Sequence, residues 1–385
     1  MSEGHIQRRV KHSWRLKFET APRAEDGSRF IGYETVRGTK KDAQRRMTEI
    51  LQSIHKGSFV EPTSMTIGEY LGQWLVGCAQ HNVSAKTYER YSEIIEKHLV
   101  PAFGTLRLTN LKPLAIQAYY SQALIEGRRD GKGGLAPRTV MHHHRVLRAA
   151  LKQAVGWRLL DTNPAEAVKP PQPDDAEIEV LLDDELHKVL KMARTTRAYP
   201  AILLAATTGM RRGEILGLRW RDVSLDSAVL TVNNTLEETK AGMRLKEPKS
   251  KRSRRNITLP TLMVDALREH KIAQAQERLM LGLGRADDGY VFTTLEGGPV
   301  RPRNLSKEFT RIVERAGARR VSLHSLRHTH ASQLLKDGVH VKVVSERLGH
   351  SSISITLDIY AHTIPNMQAD AAARIDAAFA GVLDD

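Results

Sequence analysis

Apolar and polar side chains alternate along two early segments, "SWRLKFET" (13–20) and "RFIGYETV" (29–36), separated by the turn signal "EDGS". Such alternation puts one face of a strand against a core and leaves the other in water. The period then becomes helical in "TKKDAQRRMTEILQSIHKG", with Thr39 as N-cap and Gly57 as stop. Two or three strands and one helix thus make a small module over residues 1–60, with Arg and Lys on the open face of its sheet. From residue 63 to about 170 the pattern is helical almost throughout. "TIGEYLGQWLVGCAQ", "SAKTYERYSEIIEKHLVPAFG", "KPLAIQAYYSQALIEG" and "APRTVMHHHRVLRAALKQAVGW" are four amphipathic segments divided by Gly and Pro. Their short connections predict a helical bundle.

"AEAVKPPQPDDAE" interrupts the pattern: Pro170, Pro171 and Pro173 followed by acids cannot continue a helix, which makes this the best linker in the chain. The expected division is 1–60, 63–171 and 175–385. Beyond the linker, "LLDDELHKVLKMAR", "AYPAILLAATTGMRRGEILGLRW" and "TLMVDALREHKIAQAQERLM" are helical, as are the segments from Arg303 onward. "AVLTVNN", "RLKEPK" and "RRNITLP" are short strand candidates. The third region is therefore expected to be mostly helical, with one small antiparallel sheet inserted.

Composition changes this picture in two ways. Lys and Arg number 59 against 44 Asp and Glu, a formal net charge of +15, so a polyanion is the expected partner. Nucleic acid fits better than a membrane surface, because no strongly apolar amphipathic segment accompanies the charge. Cys78 is the only cysteine, which excludes an internal disulfide and a cysteine-rich zinc site. The start "MSEGHIQRRV" lacks the apolar stretch of a signal peptide and no apolar run is long enough to span a bilayer. The expectation is a protein that stays where it is made, in the cytoplasm.

The candidate chemistry lies in the third region. In "TGMRRGEILGLRW", Gly209 would kink the chain, and Arg211 and Glu214 fall three apart on one helix face, an arginine fork for a phosphate oriented by an acid. Taken alone, an Arg/Glu pair at this spacing is more often a surface ion pair. "RLKEPKSKRSRRN" carries Arg244, Lys246, Lys249, Lys251, Arg252, Arg254 and Arg255 against the single acid Glu247. On a hairpin tip this run would enter a DNA groove. In "HSLRHTHAS", His324 and Arg327 project together from a helix. His324 with His328 is a poor zinc pair, since the sequence places no further ligand. The "HHH" of 142–144 suits a solvated or backbone-contacting face better than a metal. "LGHSSISITLDIYAH" (348–362) reads as a helix with Ile353, Leu357 and Tyr360 on one stripe, so Tyr360 is either core or chemistry. Together these pieces supply a nucleophile, two arginines for the non-bridging oxygens of a phosphodiester, and Lys249 or a histidine to protonate a leaving hydroxyl.

In order and spacing, these four boxes resemble the tyrosine recombinase family, in particular the lambda-type phage integrases, and the resemblance covers the whole chain. It implies a mainly α, multidomain fold. An arm-binding domain of three strands plus a helix (1–60) precedes a helical-bundle core-binding domain (63–171) and a mostly helical catalytic domain (175–385). It further implies Tyr360 as nucleophile, Arg211, Arg327, His324 and His350 as transition-state stabilisers, Lys249 as general acid and Glu214 as a positioning residue. Lys246, Lys251, Arg252, Arg254 and Arg255 would contact DNA, and Lys246 and Lys251 lie close enough to Lys249 to compete for its role. No metal or other cofactor is implied. The implied partners are double-stranded attachment sites of core and arm type, three further copies of the chain in a tetramer, and accessory bending and directionality proteins. A tail over "NMQADAAARIDAAFAGVLDD" would pack on its own domain or dock on a neighbour. Three rivals share part of this pattern. A chromosome-dimer resolving recombinase usually lacks the basic N-terminal module. A non-cleaving regulator has no need of Tyr360. A type IB topoisomerase relaxes DNA without two cognate sites.

Overall fold

The computed structural model describes residues 4–20, 30–55, 59, 64–174, 179–247, 254–284, 288–360 and 367–380. The chain divides into two compact units, 1–175 and 176–385. No helix among the described residues is long and apolar enough to cross a membrane.

The first unit begins with a three-stranded antiparallel sheet of β1 (His5–Val10), β2 (Ser13–Glu19) and β3 (Ile31–Arg37) in that order. The alternation read in the sequence sets its faces. Leu16 and Phe18 of β2 are buried against Ala43, Met47 and Ile50 of α1 (Lys40–His55). On the other face, the register aligns Gln7, Arg15 and Thr35 in one row and His5, Lys17 and Tyr33 in the next, and the Arg15 guanidinium lies over the Tyr33 ring. Thr39 and Asp42 close the start of α1 reciprocally, Asp42 accepting from the Thr39 amide and Thr39 Oγ1 from the Asp42 amide. "EDGS" and Gly57 lie outside the described residues.

Four helices form a second core in this unit. α2 (Ile67–Trp74) continues through a π turn (Leu75–Ala79) to Asn82, and α3 (Ala85–Ile94) through another (Ile95–Leu99) to Phe103. α4 (Pro113–Glu126) and α5 (Pro137–Gly156) each place proline at the first helical position, where no amide hydrogen bond is lost. Their apolar stripes meet around Tyr70, Leu99, Ile116, Tyr120, Leu147 and Leu151. The histidine triplet departs from expectation. His143 and His144 fall in the buried stripe of α5 with Val140, Leu147 and Leu151, three and four residues apart. Two tyrosines of α4 make that burial tolerable: His143 Nδ1 is 2.8 Å from Tyr119 Oη, and His144 Nδ1 is 2.9 Å from Tyr120 Oη.

The second unit has α6 (Asp183–Ala193), α7 (Tyr199–Thr208) and α8 (Arg212–Leu216), then strands, then α9 (Thr261–Met280), α10 (Pro302–Arg315), α11 (Ser325–Lys336), α12 (Val341–Leu348), α13 (Ile353–Tyr360) and α14 (Met367–Phe379). Instead of one inserted sheet, the described residues form two. β4 (Val223–Ser224), β5 (Val229–Val232) and β8 (Arg255–Thr258) form one, and β6 (Thr235–Thr239) with β7 (Gly242–Lys246) forms the other. The basic run therefore does not cap a simple hairpin: its described ends belong to different sheets, β7 pairing with β6 and β8 with β5. "TLEET" escaped notice as a strand because its central polar residues hide the alternation. "LGHSSISITLDIYAH" is also not one helix. Gly349 ends α12 in the left-handed conformation (φ 69°), and α13 starts only at Ile353.

Candidate active site

α7 ends at Gly209, whose φ of 64° reverses the chain in a conformation that L side chains avoid. A Cβ there would lie 2.6 Å from Leu348 Cδ2 and 2.9 Å from His330 Cδ2, so packing also requires glycine. The reversal delivers Arg211 to the start of α8. Its amide donates to Glu214 Oε2 and its Nη1 to Oε1, both at 2.9 Å, while Nη2 lies 3.4 Å from the Gly349 carbonyl. Glu214 thus fixes both backbone and guanidinium.

Arg327, in the first turn of α11, is buried and donates from Nη1 to the Gly209 carbonyl at 2.7 Å. Its buried Nη2 has no hydrogen-bond partner among the described residues. Burial, reinforced by the nearby charge of Arg211, pushes the guanidinium down to about 9. A desolvated cation with an unused donor is costly unless an anion arrives. Among the described residues, Glu214 is the one carboxylate hydrogen-bonded to either arginine, which suits a phosphodiester with two non-bridging oxygens.

Tyr360, the last residue of α13, is buried and its hydroxyl is 2.8 Å from His328 Nδ1. Burial raises the phenol to about 12, and the positive Arg327 draws it back in part. The apolar stripe that suggested an ordinary core helix is not formed: Ile353 and Leu357 are 40% and 44% exposed, and Thr356 shares the buried face with Tyr360 instead. Thr356 Oγ1 is 2.8 Å from His350 Nδ1. Burial, followed by Arg327, Arg211 and Arg255, lowers His350 to about 4, so the ring is neutral at pH 7. His324 precedes α11 at its N-cap, exposed, with its ring edge-to-face on His328 at 5.0 Å. Its pKa is lowered too, by partial burial and by Arg327. Among the described residues, no group of three or more His, Cys, Asp or Glu is placed to hold a metal ion.

The structure therefore brings Arg211, Glu214, His324, Arg327, His350 and Tyr360 into one region. Lys249, Lys251 and Arg252 lie outside the described residues. Lys246 ends β7 opposite Thr235, half-buried, and Arg254 is exposed and paired with Glu247 at 2.8 Å. Arg255, expected among the groove contacts, faces inward. Its side chain is 6% exposed; Nη2 donates to Glu214 Oε2 at 2.9 Å and Nε to the Arg347 carbonyl at 2.7 Å. The physical reason is the charge of Glu214: burial pushes that carboxyl up, and Arg255 and Arg211 outweigh burial to hold it below its ordinary value.

Sequence reasoning missed three supports. His328 contacts the phenol, Thr356 contacts His350, and Arg347 donates to His330 Nε2 at 3.1 Å and to the Thr207 and Thr258 carbonyls. The signal for His328 was available, since it lies one turn beyond His324. Spacing alone suggests a metal ligand there and gives no sign of the phenol, which comes from a different helix.

With this geometry in hand, the relatives are informative. Residues 179–367 match the phage integrase family, and residues 66–124 match the N-terminal SAM-like domain of phage integrases. A "Tyrosine recombinase XerC-like" protein of Caldanaerobacter subterraneus subsp. tengcongensis is 31% identical over 94% of this chain and 95% of its own length. An integrase of Mycobacterium phage L5 is 24% identical over 85% of this chain and 86% of its own. Among solved structures, the Tn1549 transposon integrase with transposon right end DNA shares the fold at a TM-score of 0.67 and 20% identity, over 81% of this chain and 99% of that one. A lambda integrase dimer bound to a COC′ core site does so at a TM-score of 0.57 and 18% identity, over 92% and 94%.

Proposed function

The chain belongs to the phage integrase family of tyrosine-type site-specific recombinases, and we propose that it integrates and excises a phage or other mobile element through a 3′-phosphotyrosyl intermediate. The observation that carries this reading is the buried Arg327, with an unused donor and its charge felt by the buried Tyr360.

A scissile phosphate seated between Arg327 and Arg211 meets two guanidinium forks. Tyr360 Oη attacks phosphorus, and the charge that builds on the phosphoryl oxygens is met by Arg211, Arg327, His324 and His350. A hydroxyl donor from Thr356 at His350 Nδ1 leaves Nε2 protonated and able to donate. The 5′-oxygen departs with a proton from Lys249, or from Lys246 or Lys251 nearby, and the tyrosyl ester keeps the energy of the broken bond. A free 5′-hydroxyl from a partner strand then reverses the step, so two exchanges pass through a Holliday junction.

The DNA-bound lambda and Tn1549 relatives support double-stranded DNA as the partner, and a lambda integrase tetramer bound to a Holliday junction supports four copies. The basic open face of β1–β3, with Arg15, Lys17 and Tyr33, suits arm sequences. The four-helix part suits the core site, in a bacterial cytoplasm, with bending and directionality proteins as accessories.

The test is a nicked suicide duplex carrying the core site found in the DNA flanking the gene. Wild type is expected to accumulate a covalent adduct, and Tyr360→Phe is expected to bind normally and form none. Loss of one core hydroxyl costs only about 1 kcal/mol and would leave chemistry intact. An adduct with Tyr360→Phe overturns the reading. On the same duplex with a 5′-bridging sulfur, whose thiolate leaves without a proton, restored cleavage by Lys249→Ala identifies the acid.

A further inference from the structure

The phenol that must lose a proton rests on a histidine outside the set the family resemblance supplies. We propose that His328 is the base that takes the Tyr360 proton during cleavage and returns it during ligation, an inference that rests on Tyr360 being the nucleophile.

The geometry is direct: His328 Nδ1 and Tyr360 Oη are 2.8 Å apart, within reach for proton transfer. His350 has its Nδ1 engaged by Thr356, and His324 meets His328 edge-to-face at the ring. Placement follows from the helix. His324, Arg327 and His328 recur at three and four residues, so the residue that follows the phosphate-binding arginine necessarily shares a face with His324.

The step balances as follows. The Tyr360 Oη–H bond breaks, its proton passes to Nδ1, and Oη bonds to phosphorus as the bond from phosphorus to the 5′-oxygen breaks. The leaving oxygen takes a separate proton from the general acid. Ligation runs the same path backwards, with the His328 imidazolium reprotonating the tyrosine.

The charged neighbours give this base a condition. His328 faces His324 and Arg327 on its own helix and Tyr360 on α13, with His350 close by. Burial, then His324 and Arg327, lower it to about 4 in the free protein. Burial meanwhile holds the phenol near 12, so without DNA the proton stays on oxygen. A phosphodiester between the arginines adds the negative charge that makes an imidazolium acceptable. The nucleophile is thereby activated only when its target is in place.

The experiment compares single-turnover cleavage of the nicked core-site duplex by full-length wild type, His328→Ala, His328→Asn and Tyr360→Phe, with gel shifts for binding. Asparagine can hold the phenol from the Nδ1 position yet cannot accept a proton near neutral pH. Both His328 variants are expected to bind within about twofold of wild type and to cleave roughly 10²- to 10⁴-fold more slowly. Their rates should climb with pH where wild type is level, and added imidazole should restore part of the alanine rate. An asparagine variant cleaving within about threefold of wild type overturns the proposal, because holding the phenol is then sufficient. Loss of DNA binding by both variants also overturns it in favour of a structural role. An adduct with Tyr360→Phe sinks the underlying nucleophile assignment, a separate and distinguishable result.

Discussion

Replacing Arg255 by methionine isolates the role of the arginine that sequence patterning placed in a DNA groove. The side chain donates to Glu214 Oε2 at 2.9 Å, to Oε1 at 3.4 Å and to the Arg347 carbonyl at 2.7 Å. Arg255→Met leaves Glu214, itself only 4% exposed, with Arg211 as its remaining described cation. Removing one partner of a buried pair costs about 3–5 kcal/mol, because the other charge stays desolvated. Each 1.4 kcal/mol is tenfold, so amide protection in β8 and α8 should fall by roughly two to three and a half powers of ten. Hydrogen exchange read by mass spectrometry on the full chain measures this. The loss has a definite pH dependence. In the native chain Glu214 is held below 4.5, so its contribution is present above 4.5 and lost as pH falls through the lowered value. In the variant burial prevails and the carboxyl rises. The deficit should therefore be complete at pH 7 and shrink towards pH 4, as the variant's Glu214 takes up a proton. Adding Glu214→Gln to Arg255→Met should recover part of the protection, since an amide needs no cation. A loss below about fivefold, or one unchanged between pH 7 and pH 4, refutes the reasoning. Arg255 Nη1 also lies where a Cβ on Gly349 would be 2.9 Å away, so the turn that carries His350 should loosen in the same variant.

Three further outcomes are expected. His143 is fully buried and lowered to about 3, by burial and then by His98 and Arg90, so it stabilises the fold fully above its ordinary 6.5 and progressively less as pH falls towards 3. Urea titrations followed by tryptophan fluorescence should show up to about 2 kcal/mol lost between pH 7 and pH 5, and His143→Leu should flatten that slope. Deleting residues 1–60 should abolish gel shifts on arm probes and spare core probes, with affinity for both falling steeply as salt rises. Ile375 and Phe379, four apart on α14, are both exposed, so truncation before Asn366 should preserve half-site binding but weaken synaptic complexes on native gels.

What was legible in the sequence depended on whether a pattern was local. The strand alternation of 13–19 and the helical period of 67–156 are legible because one buried face dictates one period. The arginines and histidines stood out because their spacing places them on helix starts. Three things were hidden. Whether a basic residue faces water or a carboxylate depends on a partner far along the chain, as with Arg255 and Glu214, 41 residues apart. Whether a histidine is solvated depends on what the facing helix offers, here Tyr119 and Tyr120. The helix break at Gly349 lay inside a pattern that Ile353, Leu357 and Tyr360 imitated by chance.

The same long-range contacts explain why Arg327 is tolerated at all. An isolated buried guanidinium would ordinarily be excluded from a core. Here one donor is held by the Gly209 carbonyl, at a residue that turns left-handed, and that turn is itself packed by Leu348 and His330. Nη2 is left without a partner among the described residues, and the nearby Arg211 adds repulsion to desolvation. Glu214 offsets some of that charge, but its carboxylate is committed to the Arg211 amide and guanidinium and to Arg255. A closer carboxylate on Arg327 would stabilise the free protein more and would also occupy the place proposed for a phosphate oxygen. On the proposed role of Arg327, this cationic excess is the physical form of substrate preference: stability withheld in the free chain becomes binding energy when an anion supplies the missing partner.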